Sequence, residues 1–301
     1  MRIGTHQIAE QLLANLSRNQ LRLGTLQEQI ATGRRILRPS DDPAGTVILL
    51  DRRGAIAERE QFLRNIADGR RMLSNTESAT TQLLDVLQQA QAKATAGADD
   101  SQGPSGRQAL ATEVNNLLET LVDLAGTQAD GKYVFGGTET GTAPYSVTRV
   151  GGEITAVTPN PKGVTGTITR EVERGVTLQV NTPGSEVFTK NTNLFTALIG
   201  LRDSLRTGSQ AAIQGAIPTL QTGLDQVLTA SVVVGARARR LDLTENRLQL
   251  DVLNLRQALS RVEDTDIVEA SVQLESAKTV RQAAIASGAA VLRASLLNLL
   301  Q

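Results

Sequence analysis

Residues 217–262 decide the fold, and they read IPTLQTGLDQVLTASVVVGARARRLDLTENRLQLDVLNLRQALSRV. Alternating steps of three and four residues meet an apolar side chain at twelve of fourteen positions, with one serine and one glutamate as exceptions. This period of 3.5 residues continues without proline after Pro218, which predicts one long helix packed along a coiled-coil-like seam. Such a helix would be roughly 65 Å long. Gly223 and Gly235 each weaken a helix by up to about 1 kcal/mol, so a break at either glycine stays open.

The first half of the chain supplies helices that can pack against this long one. Its two stripes with the same spacing are Leu49, Ile56, Leu63, Ile66, Leu73, Leu84 and Leu87, then Leu110, Val114, Leu117, Leu121 and Leu124. Residues 96–106 between the stripes are rich in glycine, aspartate and serine, which indicates a loop. Two antiparallel helices and the long one together predict a slender helical bundle.

The composition changes in the middle of the chain. Residues 131–184 contain ten of the 26 glycines and eleven threonines. Alternating runs at 166–172 and 176–180, and the sequence Val-Gly-Gly-Glu at 150–153, predict β-hairpins with a tight turn. A β-rich insertion of roughly 50 residues is too small to be stable alone, so we expect it to pack on the helices.

Both ends of the chain carry short amphipathic stripes. Stripes of this length form only marginal helices in water, so we expect the two ends to pair with each other and with neighbouring copies. We therefore predict that the apolar residues of both stripes act in assembly. These residues are Leu12, Leu16, Leu23, Leu26, Ile30, Ile285, Leu292, Leu296 and Leu299.

The composition excludes several classes of function. Six aromatic residues in 301 disfavour a large compact enzyme, because aromatic side chains supply much of an ordinary core. Equal numbers of basic and acidic residues, 31 of each, give no positive surface for nucleic acid. The chain has no cysteine and one histidine, His6, so we predict no catalytic residue, no cofactor and no metal site. We also expect no membrane span and no cleaved signal peptide, since no long apolar run occurs.

An acidic pair, Asp41 and Asp42, allows two interpretations. Two adjacent carboxylates could act in acid-base chemistry or bind a hard cation. Helix capping is the stronger interpretation, because Asp42 is a good N-cap and Pro43 suits the first helical position. In this interpretation Pro39 ends the preceding helix, and the segment is a joint between helices.

A second acidic cluster, Asp264, Asp266 and Glu269, also allows two interpretations. It could imitate a calcium loop, but that motif needs a glycine at its sixth position and an acidic residue at its twelfth, and both are missing here. We favour Asp266 as the N-cap of the last helix, with Glu269 three residues later as in a capping box. The cluster then marks a second joint.

Several sequence blocks resemble those of bacterial flagellins and flagellin-like proteins. Residues 1–5 (MRIGT) and 29–44 (QIATGRRILRPSDDPA) are similar to the N-terminal region of that family. Residues 234–242 (VGARARRLD) and 263–270 (EDTDIVEA) are similar to a C-terminal helix and to the turn before the last helix. Residues 131–145, which include GKYVFGGTET and Ala-Pro-Tyr, resemble a segment of family members at the junction of hook and filament; flagellin itself normally lacks it.

The resemblance implies a mainly α fold. We expect an elongated, coiled-coil-like helical rod made from N- and C-terminal segments, a small β-rich insertion in the middle and amphipathic terminal arms. The expected regions are an N-terminal inner-tube arm that is disordered in the monomer (1–40), two rod parts (41–130 and 191–264), an outer β-rich insertion (131–190) and a C-terminal inner-tube arm (265–301).

The resemblance also implies a function. We expect a structural, extracellular subunit of the flagellum that forms a ring joining the hook to the filament and is needed for motility. Its implied partners are further copies of itself, hook-associated protein 1, flagellin and an export chaperone, with export through the flagellar type III apparatus. Two alternatives stay open at this point: a short flagellin that builds the filament, and a secreted coiled-coil adaptor or effector.

Overall fold

The computed structural model describes residues 2–99 and 102–297. The helices in this part are α1 (Arg2–Thr32), α2 (Pro43–Gly97), α3 (Pro104–Ala125), α4 (Gly184–Phe188), α5 (Leu194–Thr207), α6 (Gln210–Glu263) and α7 (Ile267–Leu297). The strands are β1 (Gln128–Ala129), β2 (Lys132–Tyr133), β3 (Tyr145–Val150), β4 (Glu153–Pro159), β5 (Thr169–Glu173) and β6 (Val176–Gln179). The chain divides into a terminal unit, Met1–Glu58 with Asp251–Gln301, and a central unit, Arg59–Leu250.

Helix α6 confirms the long helix predicted from the seam. It continues through Pro218, Gly223 and Gly235 without a break, and every seam position from 217 to 262 is buried or half-buried. Close packing explains why position 223 is a glycine, because a Cβ atom there would lie 2.6 Å from Cδ2 of Leu194. The glycine therefore allows the start of α5 to approach α6 closely.

The predicted hairpins are also present. The strands form three two-stranded antiparallel sheets, β1 with β2, β3 with β4, and β5 with β6. Gly151 and Gly152 connect β3 to β4 with φ angles of 62° and 89°, which the favoured two-residue hairpin turn requires of both its residues. This turn explains the paired glycines.

The insertion packs on the helices of the central unit, as expected for a segment of its size. Phe135, Tyr145, Phe188 and Phe195 form one buried cluster with ring centroids 4.9–5.4 Å apart. Their core is continuous with buried side chains of α2, α3, α5 and α6. Four of the six aromatic residues therefore join the insertion to the helical bundle.

Buried polar side chains hold the irregular segments of the central unit. Gln226 on α6 accepts hydrogen bonds from the backbone N–H groups of Asn191 (2.6 Å) and Thr192 (3.1 Å), and its amide donates to the carbonyl of Val187 (2.8 Å). Asn181 accepts from the N–H of Ile168 at 2.7 Å. Each amide replaces the water that the loop backbone would otherwise require.

Helix α5 was not anticipated as a separate element within the region 191–264. Asn193 caps its start, where the side-chain oxygen accepts from the N–H of Thr196 at 3.2 Å. Gly208 ends it in the left-handed conformation, with φ 70°. Buried Arg202 links it to the neighbouring elements by donating to the carbonyl of Ile154 at 2.7 Å and to Oδ1 of Asn115 at 3.1 Å.

The prediction that Pro39 ends the first helix is wrong. Helix α1 ends at Thr32, and Gly33 follows with φ 69°. A glycine in the left-handed conformation after the last turn is a common helix stop, and it acts here well before the proline is reached. Pro39 lies instead in the link between α1 and α2.

Candidate assembly interface at the terminal helices

Helices α1 and α7 pack against each other in the terminal unit. Leu23 and Leu26 are buried there together with Ala277, and Leu274 packs against them. Further along, Gly288 is buried under Leu12, because a Cβ atom on this glycine would lie 2.5 Å from Cδ2 of the leucine. The two ends of the chain therefore pair with each other, as their stripes predict.

The stripe residues predicted to act in assembly differ in their exposure. Leu23 and Leu26 are buried, and Leu12, Leu16 and Ile30 are half-buried, whereas Ile285 is exposed. Leu292 and Leu296 lie in α7, but their side chains are outside the described residues, as is Leu299 altogether. The leucines of the α1 stripe are thus largely used within the chain, and a role for them between subunits stays a prediction.

A second set of apolar side chains on the helix pair is exposed, and the sequence analysis missed it. Leu13 and Leu21 on α1 and Val268, Val272 and Val280 on α7 are 53–75% exposed. At about 100° per residue, the first two of these valines lie across α7 from its side that contacts α1. The four-residue spacing of Val268 and Val272 was the sequence signal that could have identified this exposed side of α7. We call these five residues the outer apolar set.

A buried carboxylate organises the joint between α1, α2 and the end of α6. Glu263 is buried, and it pairs with Arg34 at 2.8 Å and with Arg53 at 2.6 Å. Its carbonyl oxygen accepts from the N–H of Arg35 at 2.6 Å, and Arg34 forms an antiparallel bridge with Asp264. Because two cations face one buried carboxylate, the charge is compensated and the segments on either side are held in register.

Asp42 occupies the N-cap of α2. Its Oδ1 accepts from the N–H of Gly45 at 2.8 Å, and α2 begins at the next residue, Pro43. Its Oδ2 accepts from the guanidinium of Arg35 at 3.1 Å. The hydrogen bond from Gly45, followed by that from Arg35, holds the pKa of Asp42 below its usual range.

Asp41, like Asp42, accepts hydrogen bonds from backbone N–H groups of the joint. Its Oδ2 accepts from the N–H groups of Leu37 (3.2 Å) and Arg38 (2.8 Å), which closes the turn before α2. The two carboxylates thus bind different donors, and within the described residues no group of three or more acidic or histidine side chains could hold a metal ion. The arrangement supports a joint between helices and offers no acid-base pair.

Asp266 caps α7 at the second joint. Its Oδ1 accepts from the N–H groups of Val268 (2.9 Å) and Glu269 (3.1 Å). The carboxylate of Glu269 accepts from Gln273 at 3.0 Å. The N–H of Thr265 donates to the carbonyl of Gly33 at 2.9 Å, which ties the start of α7 to the end of α1.

The geometry defines a class of structural protein: long paired terminal helices with charged joints and an exposed apolar set. Over the described residues, no helix is both long and apolar enough to cross a bilayer. The chain matches the bacterial flagellin N-terminal helical region over residues 3–140 and the C-terminal helical region over residues 217–300. These matches together cover more than half of the chain, which therefore belongs to the bacterial flagellin family.

Relatives that match along most of their length support this placement. Flagellar hook-associated protein 3 of Salmonella typhimurium is 25% identical over 293 residues, covering 88% of this chain and 89% of the relative. Flagellin of Bacillus subtilis is 24% identical over 287 residues, with 89% of each covered. Such relatives are structural components of the flagellum, and this chain is likewise a structural protein rather than an enzyme.

Solved structures share the fold. The flagellar junction protein FlgL from Legionella pneumophila matches with a TM-score of 0.60 and 15% identity, covering 72% of this chain and 100% of that one. FlgL from Bacillus cereus matches with a TM-score of 0.57 and 19% identity, covering 68% and 97%. The helical architecture with a strand-containing middle is thus common to these proteins.

Proposed function

We propose that this chain is a structural subunit at the junction between the flagellar hook and filament, assembled through its terminal helices. The observation that carries the proposal is the outer apolar set on the α1 and α7 pair. A contiguous exposed apolar patch is typical of a surface that is covered in an assembly, and we infer that these five side chains contribute to one. The match to hook-associated protein 3 along most of both chains supports the position at the junction.

The partners follow from this position. Copies of the chain form a ring that contacts hook-associated protein 1 on one side and flagellin on the other. An export chaperone and the flagellar type III apparatus deliver the chain without a cleaved signal peptide, and motility depends on it. The arms are disordered in the monomer and become helical on assembly, so that buried apolar surface offsets the entropy of ordering them.

A short flagellin is the second candidate function. The match to flagellin of Bacillus subtilis along most of both chains favours it. Residues 131–145 favour the junction, because they resemble a segment that flagellin itself normally lacks. The two candidates differ in where the protein lies along the flagellum.

Electron microscopy of flagella labelled with antibody against residues 131–184 separates these candidates. A single band of label between hook and filament is the expected result. Label along the whole filament would make the chain a flagellin. Absence of label from the flagellum would contradict both candidates and favour the adaptor.

A point substitution tests the surface itself. Val272→Asp places a charge in the outer apolar set, and we expect assembly at the junction and swarming motility to be lost while the central unit stays folded. Ser271→Asp is the matched control, because it adds the same charge to the neighbouring exposed position without removing an apolar group. Circular dichroism checks folding, and equal motility of the two variants would contradict the proposed surface.

A further inference from the structure

The central unit contains a cavity that is formed by its own residues. Its volume is about 550 Å³, within the range of roughly 300–1,000 Å³ typical of small-molecule sites. The segment before β5, the residues around α4 and one side of α6 form its wall. Most of its lining residues carry a hydroxyl, amide or charged group, and the assembly function proposed above uses none of these groups.

Arg237 on α6 is the central feature of this cavity. Its guanidinium donates to the carbonyl of Asn181 at 2.9 Å and to Oε1 of Gln179 at 2.8 Å, and both acceptors are neutral. The side chain forms no ion pair with any described residue. Burial lowers the pKa of Arg237, with a smaller opposing effect of Glu186. The half-buried cation thus has two neutral acceptors and no carboxylate bound to it, which leaves room for an anion to complete the site.

The other charges leave the cavity positive. Lys190 and Glu186 lie in the wall and pair with each other across one helical turn. Their charges cancel, so Arg237 gives the lining a net charge of +1. A guanidinium has five N–H donors, and two protein acceptors leave several of them for a carboxylate, the anion that fits its planar fork best.

Neutral donors and acceptors surround this cation. The side chains of Thr167, Ser185 and Asn191 line the cavity and form no hydrogen bond with the described residues. Hydroxyl and amide groups of this kind match a ligand that itself carries hydroxyl groups. Ala230, Val233 and the carbon atoms of the polar side chains add apolar surface on which the carbon skeleton of such a ligand can pack.

We propose that this cavity binds a small hydroxylated carboxylate of the sugar-acid class. Arg237 binds the carboxylate, and Ser185 and Asn191 bind hydroxyl groups of the ligand. The site belongs to the folded central unit, so binding does not depend on assembly. It also does not depend on the position of the protein in the flagellum.

Saturation-transfer NMR of the full chain with D-glucuronate and D-glucose tests the proposal, because the two probes differ in the carboxylate. The expected result is saturable binding of D-glucuronate and at least tenfold weaker binding of D-glucose. Absence of saturable D-glucuronate binding, or equal binding of both sugars, would overturn the proposal.

Variants identify the group responsible. Arg237→Gln should weaken D-glucuronate binding at least tenfold, whereas Arg239→Gln removes an exposed arginine of the same helix and should leave binding within twofold. Ser185→Ala breaks no side-chain hydrogen bond of the described fold and should weaken binding several-fold, which keeps the test valid if Arg237→Gln unfolds. Unchanged binding in both Arg237→Gln and Ser185→Ala would contradict the assigned site.

Discussion

The central and terminal units differ in how their helices are held. The main core of the central unit joins four helices to the insertion around four aromatic rings. The cluster between α1 and α7 contains three buried residues, Leu23, Leu26 and Ala277. Because buried apolar area supplies most folding free energy, the larger part of that free energy is expected in the central unit. In the terminal unit the small cluster is supplemented by the charged joint around Glu263.

Removing one ring of the aromatic cluster should have the largest effect on stability. Phe188→Ala leaves a cavity among three other rings, and we expect it to lower the free energy of unfolding by about 3 to 5 kcal/mol. Urea unfolding followed by circular dichroism measures the loss. Leu243→Ala, at an exposed position on α6, should change stability by less than about 0.5 kcal/mol. Equal effects of the two substitutions would refute the proposed concentration of stability in this cluster.

Replacing the buried amide of Gln226 should have the next largest effect. Gln226→Met keeps the size of the side chain but leaves the N–H groups of Asn191 and Thr192 without their acceptor. We expect a loss of about 2 to 3 kcal/mol, measured in the same urea titration. Gln249→Met, at an exposed position of α6, is the control and should be nearly neutral. A neutral result for Gln226→Met would mean that this amide does not hold the loop.

Changing the charged joint should affect only the terminal unit. Glu263→Gln removes the negative charge between Arg34 and Arg53, and we expect a local loss of about 1 kcal/mol, because both arginines are substantially exposed and solvent screens their charge. Amide hydrogen exchange at Arg35 should accelerate, while the protection of the central unit stays unchanged. Glu269→Gln, at an exposed position in the first turn of α7, is the control. Unaltered exchange at Arg35 in Glu263→Gln would contradict a role for the ion pairs.

The smallest expected effect is the response of the α2 cap to acid. The folded pKa of Asp42 is depressed, so its stabilising contribution is present above the unfolded pKa, near 3.8, and is lost as the pH falls through the folded pKa. The amide proton resonance of Gly45 should therefore shift only below about pH 4. Asp42→Asn should remove this acid transition, and a transition that persists in this variant would have another origin.

The sequence predicted regular, local features well. The seam of α6 and the turn at Gly151 and Gly152 depend on periodicity and on backbone conformation, which neighbouring residues determine. It also predicted that a face of α1 would be covered. It also predicted that the two ends would pair, and α7 does cover Leu23 and Leu26. Apolar periodicity alone did not identify which residues of the partner helix would contact them.

The features that were missed depend on distant residues. Arg202 resembles a surface residue in the sequence, yet it is buried because Ile154 and Asn115 supply its acceptors. The burial of Glu263 was missed for the same reason, because its partner Arg34 is far away in the chain. Pro39 was misread for a local reason, since Gly33 comes first and stops α1 with a left-handed backbone.

The pairing of α1 with α7 also fixes an order of folding. The whole central unit separates these helices in sequence. Closing a flexible loop of about 200 residues costs about 5 kcal/mol of chain entropy, which a cluster as small as that around Leu23 and Ala277 offsets poorly. Once the central core has formed, folding of the intervening chain has already removed most of this entropy. The ends of the chain therefore meet last, after synthesis of the chain is complete.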